Sequence, residues 1–141
     1  MNTTLTKTIF FQAQPEKVWK YLTDKDKLGE WYHPAKNNLV EGEDYTLLTE
    51  GEDGKLKAQV WGRVLEMTPY SKLVTTFCIG PFGGNETILT WVLESAAGGT
   101  RLSLKHEGIA EAGGAAALQL LTALDNGWDS HFAKIRSAIS M

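Results

Sequence analysis

Three histidines are the residues of this sequence best suited to acid–base chemistry, because an imidazole titrates near neutral pH. They are His33, His106 and His131, and no two of them have the spacing of a His-x-x-x-His metal-binding pair. His106 alternates with Leu102 and Leu104 along a strand-like segment, so we expect its ring to face the interior. There it would act as a polar anchor for a ligand, as a general acid or base, or as a core histidine that bonds to a backbone carbonyl.

Catalysis by His106 would need a second group that orients the imidazole. Glu107 follows it directly and points to the other face of a strand. Tyr45 and Thr75 fall on separate predicted strands, and the sequence does not show whether they reach the same space. Asp129 and the histidines form no metal-ligand pattern. We therefore predict no catalytic residue, no metal site and no cofactor.

Two further features resemble reactive motifs only superficially. Cys78 is the single cysteine, which excludes an intramolecular disulfide and a thiolate metal cluster. Its strand-like setting predicts a buried, unreactive thiol. The segment from Gly80 to Gly84 lacks the lysine and the following helix of a phosphate-binding loop. It is better interpreted as a flexible connection between strands.

Length and composition predict one globular domain over residues 1–141, with 43% hydrophobic and 22% charged residues. The formal net charge of −3 argues against a nucleic-acid partner, since the clustered lysines at 17, 20, 25 and 27 are interleaved with acidic residues. The N-terminus lacks the apolar core of a signal peptide, and no apolar run approaches the roughly 20 residues of a membrane span. We expect a cytoplasmic protein.

The first part of the chain predicts a strand over residues 3–12 and then two short helices. The first begins around Pro15, since proline suits the first helical position. The second is capped by Thr23 or Asp24 and carries Leu28 and Trp31. Strands separated by turns follow, at residues 38–41, 44–50, 56–67, 73–79, 86–95 and 100–107. Short connections without helices predict a seven-stranded antiparallel sheet.

The last part of the chain predicts one long helix over residues 115–139. Apolar side chains three or four residues apart form one stripe along it: Leu118, Leu121, Leu124, Trp128, Phe132, Ile135 and Ile139. Gly127 interrupts this helix, and we expect it to allow close approach to another backbone. Only this helix is long enough to cover one face of a curved sheet, so the sequence predicts an α+β fold with an interior that is filled by large side chains or left as a cavity.

Landmarks along almost the whole chain resemble one protein family. They are Pro15–Trp19 with Leu22 and Thr23, Glu30–Tyr32, Gly62–Glu66 leading to Pro69, Glu86–Thr87 with Thr90–Trp91, Gly99–Leu102 with His106–Gly108, and Gly127–Ile135. In this order they resemble the activator of heat-shock-protein-90 ATPase homologue family, within the START-related SRPBCC superfamily. The resemblance implies a helix-grip fold of order β-α-α-β6-α, in which a curved seven-stranded sheet wraps around the C-terminal helix. It also implies a hydrophobic pocket between the two, and it brings no catalytic motif.

Three functions stay open. The first is non-catalytic binding of a hydrophobic or amphipathic small molecule, for which we predict the following ligand-binding residues: Trp31, Tyr45, Thr75, Phe77, Leu89, Trp91, His106, Trp128 and Phe132. The second, implied by the family, is a co-chaperone-like module with a chaperone partner. The third is an enzyme of the cyclase or hydrolase type found elsewhere in the superfamily, acting through His106. Trp61 shares strand parity with Lys57 and Arg63, so it would face outward and mark a partner surface, in a monomer or a homodimer.

Overall fold

The computed structural model describes residues 2–140. Met1 and Met141, which the predicted domain of residues 1–141 includes, lie outside the described residues. Two helices follow the first strand, five strands come next, and helices end the chain. The elements are β1 Leu5–Phe11, α1 Pro15–Thr23, α2 Lys25–Leu28, β2 Asp44–Glu50, β3 Leu56–Thr68, β4 Lys72–Phe77, β5 Thr87–Ala96, β6 Gly99–Glu107, α3 Ile109–Gly113 and α4 Ala117–Ser140.

The described residues form one antiparallel sheet of six strands in the order β1-β6-β5-β4-β3-β2. Consecutive strands from β2 to β6 pair with each other, and β1 joins the far edge beside β6. The first strand and the last are therefore neighbours, although α1, α2 and the other four strands lie between them in the sequence. The prediction of an α+β fold with an antiparallel sheet and a long C-terminal helix is confirmed, and the prediction of seven strands is wrong.

The missing strand is the predicted segment 38–41. Its backbone forms turn and loop hydrogen bonds: the Leu39 amide donates to the Thr23 carbonyl at the end of α1, and the Glu43 amide donates to the Val40 carbonyl. The free edge of β2 is met instead by an isolated bridge between Ala35 and Leu47. A run of four residues is too short for alternation to separate a strand from an extended loop.

Helices α1 and α2 form where the sequence predicts them. Pro15 begins α1, where its missing N–H costs nothing. Asp24 caps α2, because its carboxylate accepts from the amides of Asp26 and Lys27 at 2.9 and 3.0 Å. Both helices bury one face, and the chain then continues in irregular structure to β2.

Helix α4 begins two residues later than predicted, after α3 and a 3-10 turn at Gly114–Ala116. Its buried residues are Leu120, Trp128, Phe132, Ile135 and Ile139. Leu118, predicted to lie on the apolar stripe, is 77% exposed. Leu120 is buried instead, against Gly113 of α3. The first turn of α4 thus packs on α3. Among the described residues, no helix is both long and apolar enough to cross a membrane.

Two features position α4 on the sheet. The Lys7 ammonium on β1 lies 2.6 Å from an Asp125 carboxylate oxygen and 2.8 Å from one of Asp129, both on α4. Buried aromatic residues of α4 pack on β5 from the other side. Gly127 takes no part in this: no heavy atom lies within 4 Å of the position that a Cβ would occupy. The expected close backbone approach at Gly127 is therefore wrong.

Candidate functional site

One small cavity lies between the concave face of the sheet, the segment after α2, and α4. Its volume is about 30 Å³, which is room for about one water molecule. The side chains that line it are those of Leu22, Leu28, Trp31, Tyr32, Leu39, Tyr45, Leu47, Val60, Leu73, Thr75, Phe77, Leu89, Trp91 and Trp128. Seven of the nine predicted ligand-binding residues are among them, and His106 and Phe132 are not.

Aromatic rings form the walls of this cavity. Trp91 meets Trp31 and Trp128 edge-to-face, with ring centroids 6.1 and 5.7 Å apart. Phe132 stacks on Trp91 at 6.0 Å and supports that wall from behind. Edge-to-face and offset pairs of this kind add about 0.5–1.5 kcal/mol each beyond area burial. The wall is consequently well packed and not an open groove.

His106 is fully buried and both of its ring nitrogens are hydrogen-bonded. The Trp128 indole Nε1–H donates to Nδ1 at 3.1 Å. Nδ1 is therefore an acceptor, which leaves the proton on Nε2. Nε2–H then donates to the Thr87 hydroxyl at 2.8 Å, and that hydroxyl donates to the Phe77 carbonyl at 2.9 Å. The network assigns one tautomer and leaves no ring nitrogen free.

Burial lowers the pKa of His106 to about 3, so the ring is neutral at neutral pH. A general acid or base needs a nitrogen within reach of substrate. His106 has none to offer, since Trp128 and Thr87 occupy both. The ring bonds to the Thr87 hydroxyl and the Trp128 indole and not to the expected backbone carbonyl. This network connects α4 to β4, β5 and β6.

Tyr45 is positioned by a glycine on the neighbouring strand. The two residues face each other across β2 and β3, in the pairing of Tyr45 with Gly62. The Tyr45 hydroxyl donates to the Thr76 carbonyl on β4 at 2.5 Å. The side chain therefore spans β3 at Gly62, where a Cβ would lie 2.5 Å from the Thr76 oxygen. Only glycine, which lacks a Cβ, allows β3 and β4 to lie this close together.

The hydroxyls of Tyr45 and Thr75 form the polar part of the cavity lining. Both residues are buried. Burial raises the pKa of Tyr45 above its ordinary value, and the contact with Thr75 opposes the rise. Both groups are neutral, and each retains oxygen lone pairs that can accept a hydrogen bond.

Tyr32 also lines the cavity, and the sequence analysis did not place it in the site. Its ring is half-buried and packs on Trp31, Trp128 and His131, with centroids 5.3, 5.4 and 4.4 Å away. Burial of its hydroxyl raises the pKa of Tyr32. Within residues 2–140 the structure gives this hydroxyl no hydrogen-bond partner. Tyr32 stands in irregular structure, where no periodicity predicts which way a side chain points.

Two histidines flank Tyr32 at the outer end of the site. Burial lowers the pKa of His131 to about 4, with help from His33 and Lys134 and against a contact with the Trp31 backbone. Burial and then Lys134 lower the pKa of His33. The His131 Nδ1 atom is buried without a hydrogen-bond partner in the described chain. These shifts favour the neutral form of both imidazoles.

The remaining candidates from the sequence are not among the residues that line the cavity. Cys78 is buried, and its backbone pairs with that of the partly buried Trp61 in an isolated antiparallel β-bridge. The glycine-rich segment forms a 3-10 turn at Gly80–Phe82 and buries Phe82 against Phe77, at 6.3 Å. Over residues 2–140, no three histidine, cysteine or acidic side chains come together as a metal site.

Comparison with known families places this architecture. Residues 12–140 match the family described as Activator of Hsp90 ATPase homolog 1-like protein. The chain belongs to this family. The match runs from the end of β1 to the last turn of α4, so it includes every residue that lines the cavity. A comparison with curated proteins found no significant match.

Solved structures of similar proteins share the fold at low sequence identity. CalU16 from Micromonospora echinospora has a TM-score of 0.77 and 21% identity, over 97% of this chain and 76% of that one. Protein CV1439 from Chromobacterium violaceum has a TM-score of 0.76 and 23% identity, over 100% and 99%. The Aha1 dimer from Colwellia psychrerythraea has a TM-score of 0.74 and 18% identity, over 96% and 95%. These likenesses establish the fold, and the last shows that a protein of this fold dimerises.

Proposed function

We propose that the protein binds a small, largely apolar molecule between the sheet and α4, without catalysing a reaction. The observation that carries this proposal is the composition of the cavity lining: aromatic and aliphatic walls with the hydroxyls of Tyr32, Tyr45 and Thr75. Apolar walls with a few convergent polar groups are typical of small-molecule sites.

A ligand must enlarge the cavity, because about 30 Å³ is far below the roughly 300–1,000 Å³ of ordinary ligand pockets. Tyr32 is the lining side chain best placed to move. It is half-buried and makes no hydrogen bond within the described residues, whereas the Trp31 indole donates to the Tyr21 carbonyl at 2.8 Å. Moving Tyr32 outward would open the cavity without breaking a hydrogen bond.

Tryptophan fluorescence tests this proposal, because three tryptophans line the cavity. Titration with a library of aromatic and lipid-like compounds should shift the emission for at least one class. Trp91→Phe should remove much of the shift, and the matched control Trp61→Phe, which lies outside the cavity, should preserve it. Native mass spectrometry of protein purified from its own host should show a ligand mass that organic extraction removes. No response to any compound, together with a clean unliganded mass, would count against ligand binding.

The second candidate is a protein-interaction module, favoured by the tightly filled interior and by the family's description. It predicts that the protein stimulates ATP hydrolysis by a heat-shock-protein-90 chaperone with no small molecule present. A coupled ATPase assay checks this, with heat-denatured protein as the control. Unchanged hydrolysis would remove this candidate. The enzyme hypothesis rests on His106 alone, whose ring nitrogens are both hydrogen-bonded.

A further inference from the structure

We infer that Tyr32 is a removable plug that occupies the place of the ligand's own ring and hydroxyl group, so that the ligand is a neutral aromatic alcohol or phenol. This inference rests on the proposed function and gives its ligand a chemical class. Three independent observations support it: the surroundings of the Tyr32 ring, the unpaired Tyr32 hydroxyl, and the absence of positive charge from the cavity lining.

The Tyr32 ring is surrounded as a bound aromatic molecule would be. It stacks on Trp31, tilts against Trp128, and meets His131 edge-to-face, all within 5.4 Å between centroids. An aromatic molecule that displaced Tyr32 would find the same three rings. These contacts are favourable for any flat aromatic group, whatever its other substituents.

Tyr32 lines the cavity together with Tyr45 and Thr75, and its hydroxyl has no hydrogen-bond partner in the described chain. Tyr45 donates to the Thr76 carbonyl, so its oxygen can still accept, and Thr75 can accept or donate. The remaining space has the volume of about one oxygen-sized group. A ligand that is free of the backbone can place its hydroxyl there and form the bonds that Tyr32 lacks.

The cavity lining contains no lysine, arginine or histidine. A carboxylate placed there would lose its hydration without gaining a cation, which is strongly unfavourable. His106 cannot supply a positive charge or a free N–H, because both of its nitrogens bond within the protein. Tyr45 and Thr75 suit a neutral hydroxyl. Charge therefore selects a phenol or alcohol over an aromatic acid.

Three matched probes test the inference on the full chain: p-cresol, toluene and p-toluate. The first has the structure of the tyrosine side chain, the second lacks its hydroxyl, and the third carries a carboxylate in its place. Isothermal titration calorimetry and thermal unfolding would be measured for the wild type and for Tyr32→Ala. We expect p-cresol to bind Tyr32→Ala at least 10-fold more tightly than the wild type. It should also bind that variant about 5-fold more tightly than toluene does, and p-toluate should not bind.

Matched variants test whether the tighter binding of p-cresol depends on removal of the Tyr32 side chain and on the Thr75 hydroxyl. Tyr70→Ala removes a half-exposed tyrosine outside the cavity and should leave p-cresol binding as in the wild type. Thr75→Val in the Tyr32→Ala background should abolish the preference for p-cresol over toluene. If Tyr32→Ala does not fold, Tyr32→Leu keeps apolar contact with Trp31 and Trp128 and takes its place, with the same expectations.

The outcomes separate this inference from the proposed function. Equal binding of toluene and p-cresol, or tightest binding of p-toluate, would overturn the ligand class while apolar ligand binding stands. Binding of p-cresol to Tyr32→Ala no tighter than to the wild type would overturn the plug. If no probe binds either protein and the compound library also gives no response, the inference and the proposed function both fail.

Discussion

His106 illustrates how a residue that looks reactive in the sequence can have both of its ring nitrogens hydrogen-bonded inside the fold. Its neighbours supply one donor and one acceptor, so the neutral ring satisfies both partners in a single tautomer. The charged ring would need two acceptors, and Trp128 can only donate. Both the contacts of His106 and its burial therefore favour the neutral imidazole.

The pH dependence of stability follows from this residue. The folded-state pKa of about 3 lies below the ordinary 6.5, so the unfolded chain binds more protons as the pH falls. The contribution of His106 is complete above pH 6.5, and about 2 kcal/mol of it is lost between pH 6.5 and 5. Urea unfolding at pH 5, 6, 7 and 8 should show the free energy of unfolding falling below pH 6.5. His131, whose pKa is lowered to about 4, acts in the same direction.

Replacing His106 isolates its contribution to the pH dependence of the free energy of unfolding. His106→Gln cannot titrate, so its free energy of unfolding should fall less steeply between pH 7 and 5, even though it is lower at pH 7. Tyr70→Phe, which changes an exposed tyrosine, serves as the control and should keep the wild-type slope. Equal slopes for His106→Gln and wild type would show that another group carries the dependence.

At the level of elements, β3 is shaped by the side chain that crosses it. Tyr45 on β2 reaches over Gly62 to bond the Thr76 carbonyl on β4, and the Thr76 hydroxyl accepts from the Arg63 amide at 2.8 Å. These side-chain bonds replace ladder bonds next to a register shift in β3, at Val64 and Glu66. The crossing is what brings the Tyr45 hydroxyl into the cavity wall.

Two glycine substitutions should have opposite effects. Gly62→Ala places a Cβ 2.5 Å from the Thr76 carbonyl oxygen, which must separate β3 from β4 and cost about 1–3 kcal/mol or more. Gly127→Ala meets nothing within 4 Å on α4, so better helix propensity should stabilise the protein by about 0.5–1 kcal/mol. Urea unfolding of both variants checks the signs. A neutral Gly62→Ala would mean that the strands have room to relax.

The ion pairs between β1 and α4 are predicted to make a small, salt-sensitive contribution. Lys7 contacts two aspartates, and its side chain is only 18% exposed. Lys7→Met should lower the free energy of unfolding by about 1 kcal/mol at low salt, and by less in 1 M salt. Arg101→Met breaks a pair with Glu94 in which both partners are about half exposed, and it should change little. The same loss at both salt concentrations would indicate lost packing and not lost charge.

At the scale of the molecule, the two ends of the chain close the fold together. β1 pairs with β6 over seven residues, and α4 packs against β1 and β5. The contacts of β1, near the start of the sequence, are made with β6 and α4, which come near its end. We therefore propose that residues 1–141 form one domain that unfolds as a unit.

Equilibrium unfolding in urea tests that proposal. Far-UV circular dichroism follows α4 and the sheet, and tryptophan fluorescence follows the cavity wall around Trp31, Trp91 and Trp128. The two transitions should coincide, as in a two-state system. Fluorescence that changes at a lower urea concentration than the helical signal would show that the aromatic core opens separately.

Local patterns in the sequence predicted those elements that local physics decides. Alternation along residues 86–95 and 100–107 predicted β5 and β6 to within a few residues, because one face of each strand is buried. Proline and a capping aspartate predicted α1 and α2 in the same way. The pattern was insufficient at Leu118, which matches the apolar spacing of α4 but lies beyond the sheet.

The sequence by itself determined the fold class and the family, and seven of the nine residues it predicted to bind ligand are among those that line the cavity. These depend on periodicity and on landmarks that are readable in one dimension. Only the tertiary structure decided that His106 is fully hydrogen-bonded, that Tyr45 crosses Gly62, and that Tyr32 lies in the cavity. Each of these depends on side chains meeting from elements that are far apart in sequence or irregular, where no spacing rule specifies distance or direction.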